Sequence, residues 1–233
     1  MRTPLFLSLV MITTLFHGRS QENAGLGSWN ILHFDATFND SWSGFFEAQL
    51  RSLNFYHDFH YYEYKGALEY SIQRNSTLAL GFGQYRTYNE GGSFVRPMLS
   101  DEWRLWPQFI LTQNIKRLKI EHRYRAEFRF TNNGFRNRFR LRFGVSHPLL
   151  ENKIKQGALK IRANNELFFT NRAPYFERNR SQIQFAYQPN KKTEFILGYL
   201  HQFDYQINDE IGRDFLVVGF TYRLDWSKPK GDL

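Results

Sequence analysis

The sequence predicts an all-β protein, an antiparallel up-and-down transmembrane β-barrel of 10–12 strands with a narrow polar lumen. Three observations predict it: an export-type N-terminus, side-chain alternation of period two along most of the chain, and an aromatic content at odds with the average polarity. Aromatic residues make up 18% of the 233 residues, with 24 Phe, 13 Tyr and 5 Trp, yet the mean hydropathy is −0.56. So many rings exclude a chain that never folds. No stretch approaches the ~20 consecutive apolar residues of a membrane helix, and the absence of cysteine excludes a disulfide-stapled module. Strands with one greasy and one charged face reconcile these facts.

The elements follow in order. Arg2 is a short positive segment, Pro4 to Phe16 an apolar one, and Gly18 and Ser20 stand at small-residue cleavage positions. Residues 1–20 are therefore expected to be a signal peptide, and 21–233 a single barrel domain. Strands are expected near 29–38, 42–55, 59–71, 76–88, 100–113, 118–131, 135–147, 157–170, 177–187, 193–205 and 214–224. The clearest is Ile120 to Phe130, where Ile120, His122, Tyr124, Ala126, Phe128 and Phe130 alternate with Glu121, Arg123, Arg125, Glu127 and Arg129. Successive strand side chains point to opposite faces; at helical spacing the arginines would ring the cylinder. Most candidates are nearer the ~9–11 residues of a tilted bilayer-crossing strand than the ~5–6 usual in globular sheets. Short joints such as 39–41, 73–76, 114–117 and 188–191, set against longer ones at 89–98, 171–176 and 207–213, suggest periplasmic turns and outer loops. The connection 147–156 breaks that alternation. Eleven candidates are an odd number, whereas bacterial single-chain barrels carry an even one. A lipocalin-like barrel or a β-sandwich is the soluble alternative.

The chemistry is on the inward face. By parity, strands five to nine turn twelve cations inward, Arg104, Arg123, Arg125, Arg129, Arg136, Arg138, Arg140, Arg142, Lys160, Arg162, Arg178 and Arg180. Only four acids join them, Glu102, Glu121, Glu127 and Glu166. The remaining strands supply six acids (Asp35, Glu47, Glu63, Glu69, Glu194, Asp204) against Arg51, Lys65 and Arg223. The expected lumen network is thus Glu102, Arg104, Arg123, Arg125, Glu127, Arg129, Arg138, Arg140, Arg142, Glu166 and Arg180, with Glu127 opposite Arg138 and Glu166 between Arg142 and Arg180 as central pairs. Incomplete pairing calls for water or small anions inside. With so many like charges together, losing Arg140 is expected to be mild. Phe128, Phe139 and Leu141 are expected to face lipid.

Several stretches carry a resemblance: WNILHF from Trp29, EWRLW from Glu102, EHRYRAEFRF from Glu121, RNRFRLR from Arg136, NELFF from Asn165, FERNR from Phe176 and GYLHQF from Gly198. Together, and in this order, they resemble the family called domain of unknown function 2490. The resemblance spans essentially the whole mature chain and implies an outer-membrane barrel of a Gram-negative bacterium, without implying an activity or functional residues. His201 stands where an aromatic would be expected in the last stretch.

A catalytic constellation is not evident. Ser146 and His147 are neighbours and point to opposite faces, and no His-x-Ser pair or G-x-S-x-G elbow occurs. His57, Asp58 and His60 cluster near a turn with too few ligands for a metal, and Tyr61, Tyr62 and Tyr64 read as a surface aromatic girdle. No enzyme activity, cofactor, metal or nucleic-acid partner is therefore expected. The expected partners are outer-membrane lipid and lipopolysaccharide, with water or small anions in the lumen. The expected role is structural or surface-interacting, with a plugged or barely conducting lumen. A small anion-selective pore and a lipid-modifying enzyme are the alternatives.

Overall fold

The computed structural model describes residues 25–150, 157–206 and 209–227; the expected signal segment lies outside them. Eleven strands follow one another: β1 Gly27–Thr37, β2 Trp42–Asn54, β3 His57–Gln73, β4 Ser76–Asn89, β5 Val95–Ile115, β6 Leu118–Thr131, β7 Gly134–Leu150, β8 Ala158–Thr170, β9 Phe176–Gln188, β10 Thr193–Gln206 and β11 Asp209–Asp225. Each pairs with its neighbours in sequence, and β1 closes onto β11 to complete a barrel. That closure corrects the expectation of a wholly antiparallel wall. β1 and β11 run parallel, from Gly27 beside Phe215 to Thr37 beside Asp225. With an odd number of alternating strands, the first and last must point the same way. The start of β1 and the end of β11 consequently lie at opposite rims.

The alternation expected between short turns and long loops is not found. Connections 90–94 and 171–175 lie at one rim, and 38–41, 151–157 and 189–192 at the other. Part of the expected loop 89–98 is taken up by ladder pairing, since Asn89 pairs with Val95 and Tyr88 with Met98.

Alternation sorts the two faces. Phe82, Phe130, Phe139, Phe195 and Leu197 are about half exposed on the outer wall, while Trp106 and Glu127 are buried inside. Trp106 lies flat against the inner wall over Gly81, where a Cβ would come within 2.2 Å of the indole; only glycine leaves that space. Bulges modify the parity rule. Arg51 pairs with Tyr61 and Ser52 with Phe59, which leaves His60 as an extra residue that turns inward beside Tyr61. Phe168 pairs with Arg178 and Phe169 with Phe176, so Glu177 is likewise extra and joins the lumen.

Candidate functional site: the charged lumen

The interior combines carboxylates, guanidiniums and rings in contact with one another. Glu127, on β6, is fully enclosed and lies 2.6 Å from Arg140 Nη1, 3.6 Å from Arg125, and 3.8 Å from Arg104 and Arg138. Glu166, on β8, accepts two bonds from Arg140, at 3.0 and 2.9 Å, and another from Arg123. Toward the rim bearing 90–94, Glu102 receives Arg129 at 2.9 and 2.7 Å and Arg104 at 2.9 Å. Paired donation of this kind suits the planar fork of arginine. On the opposite wall Glu63 holds Arg51 at 3.0 Å and also Lys65 and Tyr61. Lys65 bridges to Glu47 at 2.6 Å, and His33 joins Glu47 to Asp35 at 2.8 and 2.7 Å.

All eleven residues of the expected network point into the lumen, but two pairings differ. Glu127 faces Arg138 in the ladder as expected, yet its close partner is Arg140. Glu166 sits between Arg142 and Arg180 by backbone register, yet its carboxylate goes to Arg140 and Arg123. Arg142 instead holds Glu121 at 2.5 Å, and Arg180 donates to Gln202 at 2.8 Å. Diagonal neighbours on adjacent strands are about 7–8 Å apart, within reach of long side chains, so ladder register alone does not fix ion pairs. Arg140 therefore anchors two buried carboxylates, an arrangement that argues for a larger cost on its loss than the mild one expected. Arg136, counted inward by parity, is exposed at the rim.

Parity reading missed the rings. Tyr61, expected on a surface girdle, is buried in the lumen; Tyr62 is half-buried, and Tyr64 is exposed on the wall. Arg51 lies between Trp29 and Tyr61, 3.4 and 3.9 Å from their ring centres. Arg104 covers Tyr85 at 3.8 Å, Arg125 covers Trp106 at 4.9 Å, and Arg180 lies 4.8 Å from both Trp29 and Phe168. A desolvated cation over a ring gains on the order of 2 kcal/mol, so the rings add to the carboxylates in holding Arg51, Arg104 and Arg125, and hold Arg180 beside the Gln202 amide. Trp29, Tyr61, Tyr85, Trp106 and Phe168 were each legible as inward by parity once their strands were placed; their abundance suggested girdles instead. Glu177, which holds Arg138 at 2.9 Å, carries no parity signal because the bulge creates its position.

A cavity of about 800 Å³ remains, lined by fourteen Arg and Lys against ten Asp and Glu side chains. The imbalance leaves an electropositive interior. Among the described residues, no group of three or more His, Asp or Glu is placed to hold a metal ion.

Fold and site together define a class: a closed β-barrel, apolar outside, with a buried Arg/Glu network inside. The chain belongs to the DUF2490 family, proteins of unknown function, whose family model matches residues 26–212. No curated protein and no solved structure matches it.

Proposed function

We propose that this chain is an outer-membrane β-barrel of a Gram-negative bacterium, exported by its N-terminal segment, whose lumen is closed by its own side chains. The inversion of the two faces carries the reading. Charges and amides fill the interior while large apolar side chains, such as Leu80 at 58% and Leu197 at 56% exposure, cover the exterior. Soluble monomers rarely leave contiguous apolar patches beyond a few hundred Å². A hydrocarbon surround accommodates such a wall, and strands of 11–21 residues are long enough to cross it. Interlocked Arg–Glu pairs and ring-stacked arginines crowd the interior, which supports a lumen that acts as a polar core, with the working surface on the wall or a rim.

Planar-bilayer recording of the refolded mature chain tests the closure. The expected result is a silent or barely conducting bilayer, with conductance raised by Arg140→Gln, which removes the strut between Glu127 and Glu166. The excess of lumen cations supports a second reading, a small anion-selective pore. A steady wild-type conductance with an anion-selective reversal potential, reduced in selectivity by Arg140→Gln, would establish that reading instead.

A further inference from the structure

Arg180 is a lumen guanidinium that the acids pass over. Its Nε donates to the Gln202 amide oxygen at 2.8 Å, and among the described residues its two Nη groups have no bonding partner. Glu166, across from it on β8, is taken by Arg140 and Arg123, and Asp204 on β10 by Arg178. Rings and like charges surround it instead. Its guanidinium carbon lies 4.8 Å from the centres of both Trp29 and Phe168. Arg51 lies 3.4 Å from the same Trp29 ring, and Arg140 and Arg178 lie 4.6 and 5.8 Å from the same Phe168 ring. The charges acting on Arg180 most strongly are those of Arg178, Arg51 and Arg140, ahead of Glu166. A cation held out of water without a counter-charge is costly, and a ring face offsets only part of that cost.

The other side of the barrel shows the same shortage of acceptors. Arg51, 7% exposed, gives Nη2 to Glu63 and Gln49, but Glu63 also serves Lys65, and Arg51 Nε is enclosed without a partner. His60, 8% exposed and turned inward by its bulge, has an enclosed Nδ1 that is likewise unbonded. The charges that act on His60 are those of Arg51 and Arg213, and Arg213 stands across from Gln202 in the ladder. Arg51, His60 and Arg180 are each three or four residues from the strand ends at the rim bearing 90–94 and 171–175. At about 3.3 Å per residue and a tilt near 40°, that is roughly 9 Å below the mouth. All three line the 800 Å³ cavity.

We propose that Arg180, Arg51 and His60 form a binding site for a phosphate group, carried by free phosphate or a small phosphate ester that enters from this rim. The site rests on the geometry of the lumen and not on the membrane reading. Two features select phosphate over a planar carboxylate or a halide. The donors come from opposite sides of the barrel, on β2, β3 and β9, so the ligand must accept bonds in several directions. Phosphate near neutral pH also carries close to two charges, matching a pair of guanidiniums. The free edge of Arg180 suits two of its oxygens, Arg51 supplies the second positive charge, and His60 donates from Nδ1.

The test uses the full mature chain refolded in detergent micelles. Calorimetric titration with inorganic phosphate and with glycerol 3-phosphate, at fixed ionic strength and with chloride as the control, reads the affinity. Circular dichroism reads the unfolding temperature. One saturable site is expected, with an unfolding temperature that rises with the ligand; the tighter of the two ligands shows whether the free ion or an ester is the natural form. Arg180→Gln should weaken binding by about 10–100-fold, His60→Phe by about tenfold, and Arg180→Lys should keep part of the affinity. Arg136→Gln, at an exposed position of the same rim, should bind as the wild type does. Without phosphate, Arg180→Gln should unfold no earlier than the wild type, because it removes an uncompensated cation and no strut. No saturable binding to a folded wild type, or an equal response to chloride, would overturn the site. Unchanged affinity in both Arg180→Gln and His60→Phe would overturn it too, as would an Arg180→Gln chain that unfolds earlier without phosphate. Each of these failures leaves the membrane reading standing.

Discussion

Arg140 and Leu141 are adjacent in β7 and meet opposite surroundings. Arg140 donates to Glu127 and Glu166, the former fully enclosed, while Leu141 is 42% exposed on the wall. Under the membrane reading, Leu141→Arg should cost ~2–4 kcal/mol if the position is near the bilayer midplane. Arg140→Gln should cost about 3–5 kcal/mol for a different reason, since it leaves two buried carboxylates short of a cation. Arg142→Gln, by contrast, loses a half-buried pair with Glu121 and should cost no more than about 1 kcal/mol. Urea titration of the three variants in vesicles, followed by tryptophan fluorescence, gives the ranking; a mild Arg140→Gln beside a severe Arg142→Gln would contradict the network. Parity made the face of each residue legible in the sequence. It left the partners unreadable, because Arg140 reaches both carboxylates from across strand boundaries, and Glu127 pairs diagonally in preference to its ladder neighbour.

At the scale of elements, strand positions were legible to within a few residues, because alternation persists through nearly every one. The sequence signal failed where the period breaks. His60 and Glu177 face inward through bulges, and nothing in local composition marks the extra residue. The least expected element is β1, whose parallel pairing turns a ten-strand meander into an eleven-strand barrel. That pairing is directly testable because the protein has no cysteine. Leu32 and Phe220 are opposite one another in the parallel register, both on the outer wall. The double variant Leu32→Cys/Phe220→Cys should form a disulfide on mild oxidation, since bridgeable Cα atoms lie about 4.4–6.8 Å apart. Leu32→Cys/Leu216→Cys, displaced by four residues in β11, should not. Equal cross-linking of the two pairs, or of neither, would mean that β1 does not hold this register.

For the whole molecule, parallel closure has a consequence for orientation. The chain enters the wall at the rim bearing 90–94, 132–133 and 171–175 and leaves it at the rim bearing 38–41, 116–117 and 189–192. In an outer membrane, the two rims face different compartments, so one end of the barrel segment must be outside. Loop length does not settle which, because the connection 151–157 lies at the second rim and breaks the asymmetry expected from sequence. If the last strand ends in the periplasm, as the export route of bacterial barrels suggests, Gly92 and Asn133 lie outside and Asn190 inside. Single cysteines at these three positions report the answer on intact cells exposed to an impermeant maleimide. Gly92→Cys and Asn133→Cys should label, and Asn190→Cys only after the outer membrane is opened. The reverse pattern would invert the barrel. Equal labelling of all three in a detergent-free, water-soluble preparation would remove the membrane from the account. The apolar wall would then need a protein partner to cover it.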